Sequence, residues 1–186
     1  YLAQTGAAVA INANYFDFNG NPTTTLDQLE TSAGTDTAPW GDNSSKNVAG
    51  INISASNKVT FIQPADRTNG GYGTNKLGTT TAVSLYNAIG SNYMSVKNNA
   101  LTGVVNDGDD YARASIGIKG NTLYLFTDTD LNEGDGLGLL PTEVGQILHD
   151  QWGLTNVLNL DGGGSTQMAI RTSRGVTARS DIIGSQ

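Results

Sequence analysis

One stretch, Val157 to Arg171, restricts the fold of this chain more than any other. The apolar run 157–160 predicts a short buried strand, which ends at Asp161 and is followed by three consecutive glycines, Gly162, Gly163 and Gly164. A glycine run costs backbone entropy, so it is kept where the backbone must adopt a positive φ or let a ligand approach closely. The N–H groups of such a turn, with the hydroxyls of Ser165 and Thr166, are suited to holding an anion. The alternative is a tight hairpin turn beside a solvated aspartate.

Composition limits the class of protein and of partner. The 186 residues are 37% hydrophobic and 15% charged, with 24 Gly and 4 Pro, which predicts one β-rich domain over residues 1–186. A net charge of −7 argues against non-specific binding to nucleic acid or to an anionic membrane, and an anionic substrate would need a local basic group. There is no cysteine for a disulfide or a thiolate. No apolar run approaches the about 18 residues of a membrane span.

The hydrophobic pattern predicts an α+β fold with a mostly antiparallel, twisted sheet and few helices. The clearest helix is predicted over 140–153, because Val144, Ile147, Leu148 and Trp152 recur at helical spacing after Pro141. Segments 23–45 and 65–77 are interpreted as loops, and 87–105 as irregular apart from a short strand near 101–105. Strands are predicted over 7–13, 48–54, 58–63, 79–86, 101–105, 111–118, 121–127, 157–160 and 168–170.

Several polar residues stand in apolar surroundings and are candidates for a site. Arg113 lies early in a predicted strand, between two alanines, so its charge needs a partner. That partner is either an anion held by the glycine loop or a nearby carboxylate. Asn12, Asn14 and Asp17 interrupt the first apolar segment, and either form part of the site or hydrogen-bond the turn that follows.

The acidic segment 128–136 resembles a calcium loop in the alternation of Asp128, Asp130 and Asn132. It departs from an EF-hand because Glu133 stands where glycine is required and Leu139 where a bidentate glutamate is required. A solvated acidic turn is therefore the default. A divalent cation, calcium or magnesium, is the candidate cofactor on these three residues.

The single histidine, His149, falls near the predicted end of the helix. A histidine there commonly compensates the helix dipole. The chain has no cysteine for a Cys-His triad, and because it has one histidine, any Ser-His-Asp triad would depend on this residue alone. The sequence therefore disfavours a catalytic triad.

Taken in order, the motifs resemble those of the phosphodiester glycosidase family, which includes the mannose-6-phosphate uncovering enzyme and many bacterial and phage-encoded domains. The family's opening Ile-Asn-Gly-Gly-Phe-Phe-Asp appears as Ile11 to Asp17, with Asn14 in place of a glycine. Its Leu-Asp-Gly-Gly-Gly-Ser is matched in full by Leu160 to Ser165. The looser matches are Arg113 to Gly117, Thr127-Asp128, Gly138 to Glu143, and Arg179 to Gly184.

The resemblance implies hydrolysis of a sugar-1-phosphodiester between the anomeric carbon and the phosphate oxygen. Asp161 is then the first candidate for the carboxylate that activates water or attacks the anomeric centre, with Asp17 or Glu143 as the second member. The implied phosphate- and substrate-binding residues are Arg113, Asn12, Asn14, Gly162, Gly163, Gly164, Ser165 and Thr166. The implied partner is a carbohydrate or sugar phosphate, such as an N-acetylglucosamine-1-phosphodiester.

Two other functions fit parts of the sequence. The same loop and arginine could bind a sugar phosphate without turnover, as a glycan-binding module of a phage or cell-surface protein. If the source is a phage or a secreted bacterial protein, the chain would be extracellular or virion-associated, and a phosphodiester-linked exopolysaccharide of a cell wall or capsule would be its natural substrate. The loop also resembles the phosphate loops of actin-like ATPases, but those need two such lobes. A P-loop is excluded because no Gly-Lys-Ser/Thr follows the glycines.

Overall fold

The structure is a computed structural model that describes residues 2–13, 30–38, 49–63, 75–76, 85–91, 93–103, 110–128, 138–173 and 175–178. In chain order its helices and strands are α1 (Leu2–Thr5), β1 (Val9–Ile11), β2 (Glu30–Ser32), β3 (Thr35–Ala38), β4 (Ala49–Ile53), β5 (Val59–Gln63), β6 (Asn75–Lys76), β7 (Asn87–Ser91), β8 (Met94–Lys97), β9 (Ala100–Leu101), β10 (Ala114–Lys119), β11 (Thr122–Thr127), α2 (Pro141–Gln146), β12 (Asn156–Asn159), β13 (Met168–Thr172) and β14 (Gly175–Ala178). This is the α+β arrangement of mostly antiparallel sheets that the pattern predicts.

The chain divides into two compact units, one of residues 14–94 and one of residues 1–13 with 95–186. The assignment of 1–186 to one domain therefore stays a prediction. Among the described residues, no helix has the length and apolar character needed to cross a membrane.

The described residues of the unit 14–94 form a sheet in the order β3-β2-β7-β4-β5-β6. The prediction of a loop over 23–45 is wrong at β2 and β3, which form a hairpin around Ala33 and Gly34, both at positive φ (48° and 81°). Such a turn closes a tight hairpin, but Ala-Gly is a weak signal for it. The irregular region predicted over 87–105 instead contains strands β7 and β8, and the small residues of β7 gave no hydrophobic alternation.

The other unit contains a five-stranded sheet in the order β11-β10-β12-β8-β9 and a three-stranded sheet in the order β1-β13-β14. The predicted hairpin over 111–127 is confirmed: β10 and β11 pair antiparallel around Gly120, which has a φ of 58°. β10 also pairs antiparallel with β12, so it lies between the two. A β-carbon on Gly117 would lie 2.5 Å from Leu154, which shows how closely the chain packs on this strand.

The predicted helix is confirmed in place, although only 141–146 is α-helical. Residues 147–151 continue as a π-helical turn, and Gly153 follows at a φ of 72°. The helix packs on the sheet through a buried cluster that contains Val144, Leu148, Leu154, Val157 and Val96. This packing fixes the position of Leu139 and Leu140, which lead into the helix. Leu139 contacts Arg113 and Leu140 contacts Glu143, two of the candidate site residues.

Candidate active site

Asp161 lies just beyond β12, where backbone hydrogen bonds extend the pairing of β12 with β10. The Leu160 N–H donates to the Ala114 carbonyl at 2.8 Å, and the Gly163 N–H donates to the Ala112 carbonyl at 2.8 Å. These two bonds lie on either side of Arg113. The fold therefore places Asp161 and the glycine loop directly beside the arginine that the sequence singled out.

The end of β1 holds Asp161 from a second direction. The Asp161 N–H donates to the Ala13 carbonyl at 2.9 Å, and the Asn12 side-chain amide donates to the Asp161 carbonyl at 2.7 Å. The Asn12 side-chain oxygen accepts from the Gln167 N–H at 2.9 Å. Asn12 thus joins the two ends of the glycine loop, a role that the sequence did not indicate. Its part in binding substrate stays a prediction.

The Asp161 side chain is a buried carboxyl group, with a residue exposure of 9%. Burial raises its pKa above the ordinary aspartate value, because the charged form loses hydration. Hydrogen bonds from the Ser165 side chain and the Gly162 N–H act in the opposite direction. The carboxyl group is therefore oriented by two donors and holds its proton more tightly than an exposed aspartate.

The glycine loop offers fewer backbone donors than the sequence indicated. Residues 163–165 form one 3₁₀ turn, in which Ser165 and Thr166 donate their N–H groups to the carbonyls of Gly162 and Gly163. The Gly163 N–H is itself bonded to Ala112. Within the part of the chain that the structure describes, the N–H of Gly164 has no acceptor. The Gly164 N–H and the buried Thr166 hydroxyl, which also has no hydrogen-bond partner among the described residues, are therefore the loop donors left for an anion, and the binding roles of the loop residues stay predictions.

Arg113 is held so that its guanidinium lies against this loop. Its Nε donates to the Leu139 carbonyl at 2.8 Å, and its Cζ lies 5.5 Å from the centroid of the Tyr111 ring. A β-carbon placed on Gly162 would be 3.9 Å from the Arg113 Nη1 atom. The sequence suggested Arg113 as a partner of the glycine loop, but gave no sign of the two residues, Tyr111 and Leu139, that hold it.

Gly138 is required for the contact that anchors Arg113. A β-carbon there would lie 2.6 to 2.8 Å from backbone atoms of Tyr111, closer than real contacts allow. We expect Gly138→Ala to lower the free energy of unfolding by about 1–3 kcal/mol, as overpacking does, and to lower activity by displacing Leu139. Thermal unfolding measures the first effect and steady-state turnover the second. Gly103→Ala is the matched control, because a β-carbon at Gly103 would meet nothing within 4 Å. Equal effects of the two variants would contradict this expectation.

The remaining candidates are placed as follows. Glu143 is exposed and its Oε2 accepts from the Leu140 N–H at 2.8 Å, so it caps the start of α2. Asp128 follows β11, and its N–H donates to the Arg113 carbonyl at 2.8 Å. Asp17, Asn14, Asp130 and Asn132 lie outside the described residues, and the catalytic and metal-binding roles given to them stay predictions. Within the described ranges, no group of three or more His, Cys, Asp or Glu side chains could hold a metal ion.

His149 makes its described hydrogen bonds with Asp150 and Asn99, neither of which is a candidate site residue. Its Nδ1 lies 2.6 Å from the Asp150 Oδ1 and its Nε2 lies 3.3 Å from the Asn99 carbonyl oxygen. The hydrogen bond with Asp150 raises the pKa of the imidazole above its ordinary value. This residue therefore holds the end of the helix against the turn between β8 and β9.

Comparison with solved structures shows the same fold in longer proteins. The catalytic domain of zebrafish N-acetylglucosamine-1-phosphodiester alpha-N-acetylglucosaminidase, auto-inhibited by its pro-peptide, matches with a TM-score of 0.62 and 19% identity over 88% of this chain and 53% of that chain. A hypothetical protein from Synechocystis matches with a TM-score of 0.57 and 16% identity over 91% of this chain and 48% of that one. The chain thus spans about half the length of these solved chains.

No curated protein matches the sequence. The family model described as phosphodiester glycosidase matches residues 5–183, which is nearly the whole chain. That match includes the Leu160 to Ser165 motif, which contains the buried Asp161. The resemblance predicted from the motifs is confirmed, and the chain belongs to the phosphodiester glycosidase family.

Proposed function

We propose that this chain hydrolyses the bond between the anomeric carbon and the phosphate oxygen of a sugar-1-phosphodiester. The observation that carries the proposal is the placement of a buried carboxyl group, Asp161, next in the chain to Gly162, against which the Arg113 guanidinium lies at one end of the sheet. A carboxylate that acts at an anomeric centre and a cation that holds the departing phosphate are the two groups this reaction needs. The family match supports the same reaction class.

The roles follow from the charges that appear during the reaction. Water forms a bond to the anomeric carbon as the carbon–oxygen bond to phosphate breaks, and that electron pair leaves with the phosphate oxygen. Arg113 stabilises the added negative charge, with the Gly164 N–H as a second donor. Asp161 accepts the proton of the attacking water. The products are the free sugar and a phosphate monoester.

The environment of Asp161 suits it to accept that proton. A carboxylate with an ordinary pKa is a weak base near neutral pH, and burial moves the pKa of Asp161 upward, which makes its ionised form a better base. The two donors, Gly162 and Ser165, still favour the ionised form and fix its direction.

Release of N-acetylglucosamine from UDP-N-acetylglucosamine or from a methyl ester of N-acetylglucosamine α-1-phosphate tests this proposal. We expect the intact chain to release the free sugar from at least one of these esters. An assay with EDTA identifies any requirement for a divalent cation. Binding of the same esters without release would instead identify a glycan-binding module.

The pH dependence of the reaction tests the role of Asp161. Since the ionised carboxylate is the base, activity should rise with pH through the raised pKa of Asp161. Ser165→Ala removes a hydrogen bond that lowers this pKa, so we expect the acid limb of kcat/KM to move to higher pH. Ser173→Ala, at an exposed turn, is the control. An acid limb that stays in place or moves to lower pH in Ser165→Ala would contradict Asp161 as the titrating base.

A further inference from the structure

Asn12 and Ala13, which follow β1, hold both ends of the glycine loop. The loop runs from Asp161 to Gln167. At its first end, the Asp161 N–H donates to the Ala13 carbonyl at 2.9 Å, and the Asn12 side-chain amide donates to the Asp161 carbonyl at 2.7 Å. At its second end, the Asn12 N–H donates to the Gln167 carbonyl at 3.2 Å, and the Gln167 N–H donates to the Asn12 Oδ1 atom at 2.9 Å. These bonds fix the separation of the two loop ends.

The two loop ends belong to different sheets, and Asn12 joins them. Asp161 follows β12 of the five-stranded sheet. Gln167 precedes β13 of the three-stranded sheet, in which Ile11 of β1 pairs with Met168. The main chain of Asn12 continues that pairing, while its side-chain nitrogen reaches the end of the other sheet. The position of Asp161 relative to β1 therefore depends in part on this amide.

The chemistry of this closure suits a side-chain amide. The Asp161 carbonyl can only accept a hydrogen bond and the Gln167 N–H can only donate one, so the group between them must supply both a donor and an acceptor. A carboxylate supplies acceptors alone and an ammonium group donors alone. Because both partners are fixed, they also fix which atom of the Asn12 amide is the nitrogen. The identity of residue 12 therefore matters for the closure of the loop.

The loop that Asn12 closes carries the groups that orient the Asp161 carboxyl. Its Oδ1 atom accepts from the Gly162 N–H at 3.0 Å, and the Ser165 side chain gives the carboxyl a second hydrogen bond. Both donors lie inside the closed segment. Arg113 is anchored elsewhere, through the bond of its Nε to the chain before α2. Release of the loop end should therefore turn the carboxyl while the guanidinium stays in place.

We propose that Asn12 is a positioning residue, whose amide fixes the direction of the Asp161 carboxyl toward the attacking water. This inference rests on the proposed hydrolysis, and it gives Asn12 a role other than the contact with substrate that the family resemblance implied. A displacement of about 1 Å in a catalytic group can cost about 100-fold in rate. The cost falls on kcat when the displaced group acts on the reacting water and the phosphate is held by another residue.

Asn12→Ala tests the proposal, because it removes both side-chain bonds. We expect kcat for the methyl ester of N-acetylglucosamine α-1-phosphate to fall about 10- to 100-fold, with KM and the inhibition by inorganic phosphate essentially unchanged. Asn156→Ala is the matched control, since the Asn156 Oδ1 accepts from the Asn98 N–H at 2.9 Å in the turn between β8 and β9. It should lower the melting temperature by a similar amount and leave kcat unchanged.

Asn12→Asp separates the two ends of the loop and gives a second variant if Asn12→Ala does not fold. The ionised carboxylate still accepts from the Gln167 N–H but cannot donate to the Asp161 carbonyl. Measured at a pH above the acid limb, its kcat should fall at least as far as that of Asn12→Ala. The added charge also repels a phosphodiester, so KM is compared only for the alanine variant.

Three results would overturn the proposal. A raised KM with unchanged kcat in Asn12→Ala would make Asn12 a substrate-binding residue. Unchanged kcat and KM in the folded variant would leave it a purely structural role, and wild-type kcat in Asn12→Asp would show that the bond to Asp161 has no part in catalysis. Each of these leaves the hydrolysis itself established, whereas absence of release by the wild-type chain would count against the proposed function and so against the inference built on it.

Discussion

Asp161→Asn is expected to lower kcat about 10²- to 10⁴-fold, the range over which a general acid or base contributes. The asparagine oxygen can still accept the hydrogen bond from the Gly162 N–H, but the amide cannot take a proton from water. Steady-state release of N-acetylglucosamine from the phosphodiester, with kcat and KM separated, measures the effect. We expect KM to change little, because Asp161 is assigned to the reacting water.

The stability of the same variant distinguishes a catalytic from a structural role. Burial raises the pKa of Asp161, so the ionised carboxylate is less favourable in the folded chain than in the unfolded one, and its contribution to stability falls as pH rises through the folded pKa. Asp161→Asn should therefore unfold at the same temperature as the wild type or higher at neutral pH. A lower melting temperature with unchanged kcat for the folded protein would contradict the catalytic assignment.

Arg113→Ala is expected to lower kcat/KM about 10- to 150-fold, which corresponds to the about 1.5–3 kcal/mol of a hydrogen bond to a charged group. The guanidinium offers a planar pair of donors to phosphate. Arg113→Lys should therefore recover only part of the loss, because lysine keeps the charge but not the paired donors. Competitive binding of inorganic phosphate measures the same contact apart from turnover.

Arg171→Ala is the control for charge alone, since Arg171 is exposed on β13. Arg113 also anchors the Leu139 carbonyl, so each variant needs a thermal unfolding curve beside its kinetics. If Arg113→Ala lowers the melting temperature but binds phosphate and turns over substrate as the wild type does, then Arg113 is structural and the proposed phosphate site is wrong.

Local patterns predicted those parts of the fold whose signals lie close together in the chain. The β10–β11 hairpin, the helix that begins at Pro141 and the strand before Asp161 all combine hydrophobic periodicity with a nearby turn or cap residue. The hairpin of β2 and β3 and the strand β7 were missed. Their residues are small or polar, and pairing with distant strands, rather than local preference, determines their structure.

The candidate site shows the same division. The sequence shows the motif around Asp161 and shows Arg113 standing between two alanines, and the fold brings the motif and the arginine together. The bond from the Asp128 N–H to the Arg113 carbonyl depends on the pairing of β10 with β11, which the sequence around either residue does not reveal. The sequence also could not show that the loop uses most of its N–H groups within the protein.

The central claim is that water attacks the sugar and not the phosphate, and hydrolysis in water enriched in oxygen-18 tests this most directly. Mass spectrometry of both products from the methyl ester of N-acetylglucosamine α-1-phosphate locates the label. We predict that the label enters the anomeric hydroxyl of the released sugar and that methyl phosphate carries none. Label in the phosphate would show cleavage between phosphorus and oxygen, and would contradict a glycosidase acting through Asp161.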